Sequence, residues 1–268
     1  MASRRPLRLL HTSDVHLGAY DTRTNDGVRR SELEDGFRRV IDLAIAEQAD
    51  VLLIAGDFFD NARVFEETLH FAADEIARFG GATVIGPGNH DHVGPGSVYD
   101  RVDLVERAPN LRILRTPDGE RIAFPDLDLE VWGSSHTERR TNYQPFEGAP
   151  GRGEAAWQVG IGHGHFIGPN ALLHHSFHIR ADQLAATGLD YVALGHWERM
   201  TIVEAGEGVT AAYSGAPDAL SGNREGHGGH VLVIDLCEDG SVRLEAVPVG
   251  DGPRIPHDQL PYLPAMEG

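Results

Sequence analysis

Lysine is missing from this 268-residue chain, and cysteine occurs once. The lone Cys237 excludes a disulfide framework and a thiolate metal site; at the apolar run over residues 231–236 it reads as a small core residue. All 23 basic residues are therefore arginine, which fits a GC-rich coding bias better than a physical device. Long apolar runs are missing too. None approaches the roughly 20 residues that a membrane span needs. The stretch after Arg4 and Arg5 is too short for a signal peptide and is broken by His11-Thr12-Ser13-Asp14. A soluble, cytoplasmic protein is expected. Positive charge is scarce: 41 acidic residues give a net charge of −18. Such a surface repels a polyanion at long range, so a nucleic-acid partner would need a local basic groove or bound cations.

What is present is a recurring pattern. Short apolar runs at residues 7–10, 51–54, 83–85, 159–161 and 191–194 read as buried strands. Almost every one is followed by Asp, His or Asn: Asp14-Val15-His16, Gly56-Asp57, Gly88-Asn89-His90-Asp91, His163 and His196. Open α/β sheets place ligands beyond the carboxyl ends of their strands, so these groups are expected to converge on one point. Carboxylate, amide and imidazole together suit borderline divalent metals.

The first third reads β-α-β-α-β. Strands are expected at 7–12, 51–55 and 82–86, with amphipathic helices over 32–47 and 65–79, the second stopping at Gly80-Gly81. This is the pattern of parallel strands joined by crossover helices. Beyond it the rhythm turns to β: 111–114, 121–124, 127–132, 157–162, 191–194, 209–213, 230–236 and 241–249, the last pair joined as a hairpin by Glu238-Asp239-Gly240. One helix is expected over 182–187, with Gly188 as its stop. Residues 1–250 are read as a single domain with two sheets, because ligand clusters come from both halves. The four prolines after Asp251 mark residues 251–268 as a tail lying over the surface.

Asp14 and His16 flank one residue, and at a strand end i and i+2 point the same way. Gly56 lets the backbone turn sharply before Asp57. Gly88-Asn89-His90-Asp91 is the most specific element: an amide, an imidazole and a carboxylate in one tight turn after a strand.

This set resembles the calcineurin-like metallophosphoesterase superfamily. The words around it, residues 10–18, Gly56-Asp57-Phe58-Phe59-Asp60, residues 191–196 and Tyr213-Ser214-Gly215-Ala216-Pro217, resemble the SbcD-type DNA-repair exonuclease branch. The resemblance spans residues 7–236. It implies an α/β fold, a four-layer α/β/β/α sandwich of two mixed sheets, and hydrolysis of a phosphoester at two divalent ions. Manganese is the first choice, with iron, zinc or magnesium as alternatives. On this resemblance Asp14 and His16 hold one ion, Asn89, His163 and His196 hold the other, and Asp57 bridges them. Two ions roughly 3.5–4 Å apart need such a shared anionic ligand. His90 would stand beside the metals to protonate the leaving oxygen or stabilise the transition state, with Asp91 orienting it.

The chain departs from the family at one place. A motif that usually reads Gly-His-x-His reads Gly195-His196-Trp197-Glu198, so Glu198 stands where a ligand of the first metal is expected. Either Glu198 ligates, or the first metal is weak or absent, or His165 takes the place. His174, His175 and His178 are read as surface or packed histidines, and Arg139-Arg140 as solvated charge. The expected substrate is a nucleic-acid phosphodiester, with a small phosphoester as the alternative and a non-catalytic scaffold as the third reading. The branch's ATPase partner is not expected, since the chain ends soon after the catalytic core. A homodimer is compatible with the sequence.

Overall fold

The computed structural model describes residues 4–19, 26–137, 143–167, 177–218 and 229–265. In chain order the elements are β1 (Leu7–Thr12), α1 (Asp26–Ala46), β2 (Val51–Ala55), α2 (Glu66–Phe79), β3 (Ala82–Gly86), α3 (Leu104–Arg107), β4 (Leu111–Ile113), β5 (Glu120–Phe124) and β6 (Leu129–Gly133). There follow β7 (Trp157–His163), β8 (His165–Ile167), β9 (His178–Arg180), α4 (Ala181–Thr187), β10 (Tyr191–Gly195), β11 (Thr201–Val203), β12 (Thr210–Tyr213), β13 (His230–Leu236), β14 (Val242–Pro248), β15 (Ile255–Pro256) and β16 (Tyr262–Leu263).

These strands build two mixed seven-stranded sheets, ordered β15-β14-β13-β1-β2-β3-β4 and β16-β11-β12-β10-β7-β6-β5. β1, β2, β3 and β4 run parallel, as do β6, β7, β10 and β12. Period-2 alternation explains why the apolar runs are unbroken. In β2, Leu52 and Ile54 face the helices, where Phe37, Ile41, Leu69 and Ile76 cover them. Val51, Leu53 and Ala55 face the second sheet, against Val159, Ile161, Tyr191 and Ala193. The outer face of the second sheet buries Val192, Leu194 and Ala211 under Leu184 of α4, Phe146 and Leu189. The result is the expected α/β/β/α layering, with the fourth layer thin: α4 has seven residues.

α2 forms as its sequence dictates. Thr68, Leu69, Ala72, Ala73 and Ile76 make its buried face, Glu66 and Glu67 sit in its first turn, and left-handed Gly80 (φ 75°) ends it. α1 begins earlier than its apolar periodicity suggests, at Asp26. Three departures are informative. Residues 251–265, expected to lie over the surface, lend an edge strand to each sheet: β15 pairs with β14 and β16 with β11. β8 and β9 form a small parallel pair that is not among the expected strands. Cys237 lies just past β13 at the β13–β14 hairpin, half-buried rather than in the core. His174, His175, Arg139 and Arg140 fall outside the described residues. Among the described residues, no helix is long and apolar enough to cross a membrane.

The sheets approach closely beside the carboxyl ends of β2 and β10. A Cβ built on Gly195 would stand 1.7 Å from the Ala55 carbonyl oxygen, which is backbone and cannot swing aside. Gly195→Ala should therefore push the sheets apart and destabilise the fold by about 1–3 kcal/mol or more, the usual cost of overpacking. Chemical denaturation of the variant checks this; an unchanged midpoint would mean that the contact yields freely.

Candidate metal centre

Asp14, Asp57, Asn89, His163 and His196 come from the ends of β1, β2, β3, β7 and β10, and the alternation of two packed parallel sheets brings those ends together. The backbone there is unusual. Of six non-glycine residues with positive φ among the described residues, four are site residues: Asp14 (53°), His16 (50°), Asp57 (50°) and His196 (98°). Left-handed backbone costs such residues of order 1–3 kcal/mol each and persists where the surroundings enforce it. Asp14 and His16 thus reach the site through two left-handed residues, not through the pleat of a continuing strand. Main-chain bonds hold them so: Asp14 N donates to Gly56 O (3.0 Å) and His16 N to Asp57 O (2.9 Å). Gly56 has φ 85°, and a Cβ there would strike His163 Nδ1 at 2.1 Å.

Among the described residues, two groups of side chains could each hold a metal ion: His16, Asp57 and His90, and Asp57, His163 and His196, with the candidate ligand atoms of each group within 4.8 Å of one another. Asp57 belongs to both. Its Oδ2 lies 3.2 Å from His163 Nε2 and 3.9 Å from His16 Nε2, and its Oδ1 accepts the His90 amide at 2.9 Å.

His163 makes the case for a cation. Its Nδ1 is 3.0 Å from the Ala55 carbonyl, an acceptor, so that nitrogen carries the hydrogen. Nε2 then faces two further acceptor atoms, Asp57 Oδ2 and Asn89 Oδ1 at 3.1 Å, with the His196 ring nitrogen Nδ1 at 3.3 Å. Lone pairs converge there, and a proton or a metal ion reconciles them. Burial opposes charging His163, but Asp57 and Asp14 outweigh it and push its pKa up to about 9. His196 moves the other way, down to about 3, through burial and the neighbouring His163 charge. Burial works against ionising Asp57, yet His163, His16 and His90 hold its pKa well below the usual range. Burial pushes Asp14 up. The residues fit a divalent-metal centre.

The remaining site candidates divide. Asp14 is buried and accepts the His196 amide through both oxygens (3.2 and 3.0 Å), outside the two triads. Glu198 is half-buried and in neither triad; its main-chain carbonyl accepts the Ala216 amide. His165 packs edge-on against His196, ring centroids 4.2 Å apart. His90 is exposed, and its Nδ1 lies 2.8 Å from the Asp60 carbonyl, so its Nε2 is left for other partners.

The expected orientation of His90 by Asp91 does not hold. Asp91 is 1% exposed and turned away from the ring. It accepts the amides of Asp57 (3.2 Å), Phe58 (2.9 Å), Phe59 (3.2 Å) and Gly88 (2.7 Å), and the Tyr99 hydroxyl (2.6 Å). Four main-chain amides outweigh one imidazole because the loops after β2 and β3 both need an acceptor there.

Two further residues gain no role from the sequence, and only Ser214 lies within one of its motifs. His136 is buried, with Nε2 2.7 Å from the His163 carbonyl and its ring edge-on to His163. It lies three positions past β6, the same strand-end signal that marks the others. Ser214 joins Ser13 across the sheets, Oγ to Oγ 3.1 Å.

A carboxylate shared between two imidazole-bearing triads, set at the ends of the strands of two sheets, fits a centre for divalent metal ions. The calcineurin-like phosphoesterase family profile matches residues 7–199, and the chain belongs to that metallophosphoesterase family. It is 31% identical over 235 residues to the DNA double-strand break repair protein Mre11 of Methanopyrus kandleri, covering 80% of this chain and 49% of that protein. It is 28% identical to the uncharacterized metallophosphoesterase YhaO of Bacillus subtilis, covering 85% of this chain and 57% of YhaO. One component of the nuclease SbcCD of the same organism is 27% identical, with 85% and 66% covered. The chain thus spans about half to two thirds of the length of these curated relatives. Among solved structures, a dimetal phosphatase from Danio rerio matches with TM-score 0.56 at 10% identity, covering 94% of this chain and 99% of that one. The protein TT1561 of Thermus thermophilus matches with TM-score 0.59 at 13% identity, covering 92% and 100%. These two likenesses speak to the fold alone.

Asp91→Ala should leave several buried donors without acceptors at once. Each unsatisfied group costs about 1–3 kcal/mol, so the variant should lose a large part of its stability in denaturant, with metal content falling in step. A variant as stable as wild type would show that water replaces the carboxylate.

Proposed function

We propose that this chain hydrolyses nucleic-acid phosphodiesters at a two-metal centre, with manganese as the first choice of metal. The observation that carries the two-metal part is Asp57, whose Oδ2 lies 3.9 Å from His16 Nε2 and 3.2 Å from His163 Nε2, between the two sets of ligands. Asp14 and His16 would hold one ion, Asn89, His163 and His196 the other, and Asp57 would be shared between them. Such a pair, when bound, polarises the phosphoryl group and supplies a hydroxide at neutral pH. The mix of carboxylate, amide and imidazole favours manganese or iron over softer ions. His90 stands at the rim with Nδ1 committed to the Asp60 carbonyl, so Nε2 is the nitrogen that gives a proton to the leaving oxygen or meets its developing charge. Asp91 acts by fixing the loop that carries Asp57. The nucleic-acid part draws on the resemblance to repair nucleases. Against it stands the net charge of −18, which favours a second reading, a small phosphodiester or phosphomonoester that needs no long basic track.

The deciding experiment offers the metal-free protein Mn, Mg, Zn or Fe, with linear DNA beside bis-nitrophenyl phosphate and nitrophenyl phosphate. Degradation of DNA with Mn supports the first reading; cleavage of small esters alone supports the second. Asp57→Asn should lower both metal content and turnover, and a fully loaded, active variant would sink the bridging role. His90→Ala should keep its metal and lose roughly 10²–10⁴ in rate, less on the nitrophenyl esters, whose leaving group needs little protonation.

Glu198 completes the proposal as an additional ligand of the first metal. Glu198→Ala should release about one ion and spare the other, and Glu198→His should restore binding with a shift toward zinc. Elemental analysis of wild type, Glu198→Ala and His165→Ala reads this out; an unchanged count in Glu198→Ala retires the claim.

A further inference from the structure

Asp60 sits three residues beyond Asp57, and each of its polar atoms is engaged at the site's outer edge. Its amide donates to the Leu17 carbonyl at 3.1 Å, and its Oδ2 accepts from Asn61 at 2.9 Å. Its Oδ1 lies 3.3 Å from His16 Nδ1, and its main-chain carbonyl 2.8 Å from His90 Nδ1. The half-buried carboxylate is 26% exposed. One residue therefore touches two imidazoles through two different groups.

The two contacts have different chemistry. An ionised carboxylate only accepts hydrogen bonds. Beside His16 it favours the tautomer with hydrogen on Nδ1, which leaves the Nε2 lone pair on the side of Asp57. At 3.3 Å the pair is in ion-pair contact without hydrogen-bond alignment. The contact to His90 is made by the main chain and survives any substitution at position 60 that keeps the loop. The rings of His16 and His90 meet edge to face, centroids 4.8 Å apart at 89°, so the loop sets both at once.

We propose that Asp60 is a positioning residue with divided duties: its carboxylate orients His16 as a metal ligand, and its main-chain carbonyl orients His90 toward the leaving group. This rests on the reading of His16 as a ligand and of His90 as the leaving-group residue. Metal retention and leaving-group chemistry are then separable at one position. Removing the carboxylate weakens the first without altering the second.

The test uses the full chain as wild type, Asp60→Ala, Asp60→Asn, His16→Ala and His90→Ala. Manganese binding to the metal-free proteins is followed by calorimetry. Rates are compared on a nitrophenyl and a phenyl phosphodiester at saturating manganese. Asp60→Ala should weaken one of two sites about 10–100-fold, the usual effect of losing a partner that orients a ligand, and leave the other unchanged. Asp60→Asn keeps an acceptor and should recover much of the loss. The nitrophenyl-to-phenyl rate ratio should stay at the wild-type value in both, while His90→Ala shifts it. Wild-type affinity at both sites in Asp60→Ala overturns the proposal. So does a shifted rate ratio there, which would assign the carboxylate to His90. Equal weakening of both sites with a lowered melting temperature would mark a purely structural role and also overturn it. If His16→Ala binds two ions as wild type does, the ligand assignment itself fails, and the failure shows in that variant irrespective of Asp60.

Discussion

The buried carboxylate of Asp91 is the constraint on which the site depends. The loop after β2 and the loop after β3 both turn away from their strands with amides pointing inward, where no sheet partner reaches them. One acceptor serves them all: the amides of Asp57, Phe58, Phe59 and Gly88, and the Tyr99 hydroxyl. Burial and the neighbouring Asp57 charge both push the Asp91 pKa up, against the bonds that favour its anion. Fixing two loops against each other in this way costs electrostatic energy, which those bonds offset. Asn89 and His90 ride on one loop and Asp57 on the other, so their spacing is a property of that single carboxylate.

The second sheet contributes by confrontation. β7 and β10 deliver His163 and His196 against the ends of β2 and β3, and small residues make this possible: Gly56 below His163 and Gly195 against Ala55. The close approach brings lone pairs together around Asp57, and four of the candidate site residues there have left-handed backbone. Left-handed backbone, convergent acceptors and an anion shared between two triads all suit a site that holds positive charge.

Much of this is legible in the sequence because burial on both faces leaves so clear a trace. β2 is a continuous apolar run and β1, β3 and β13 are largely apolar, and their expected bounds agree with the strands observed. The candidate site positions are legible for the same reason: a polar residue just after such a run has few places to go but the sheet's end. What the sequence hides is direction. Asp91 and His90 are neighbours in the chain, yet one faces the interior amides and the other faces out, and no pattern of residue types distinguishes those rotations. His136 carries the strand-end signal but lacks a recognisable neighbour. β8, β9, β11, β15 and β16 are two or three residues long, too short for alternation to register, and they exist because another strand offers them an edge.

The last two of those short strands change how the molecule is assembled. β15 closes one edge of the first sheet and β16 one edge of the second, and only residues 257–261 separate them. The same stretch of chain therefore finishes both sheets. During synthesis both edges stay open until residues 255–263 emerge, with β14 and β11 offering unpaired main-chain groups to any other strand nearby. The segment works as a clasp fastened late, and a chain cut before residue 255 would be prone to join its neighbours edge to edge.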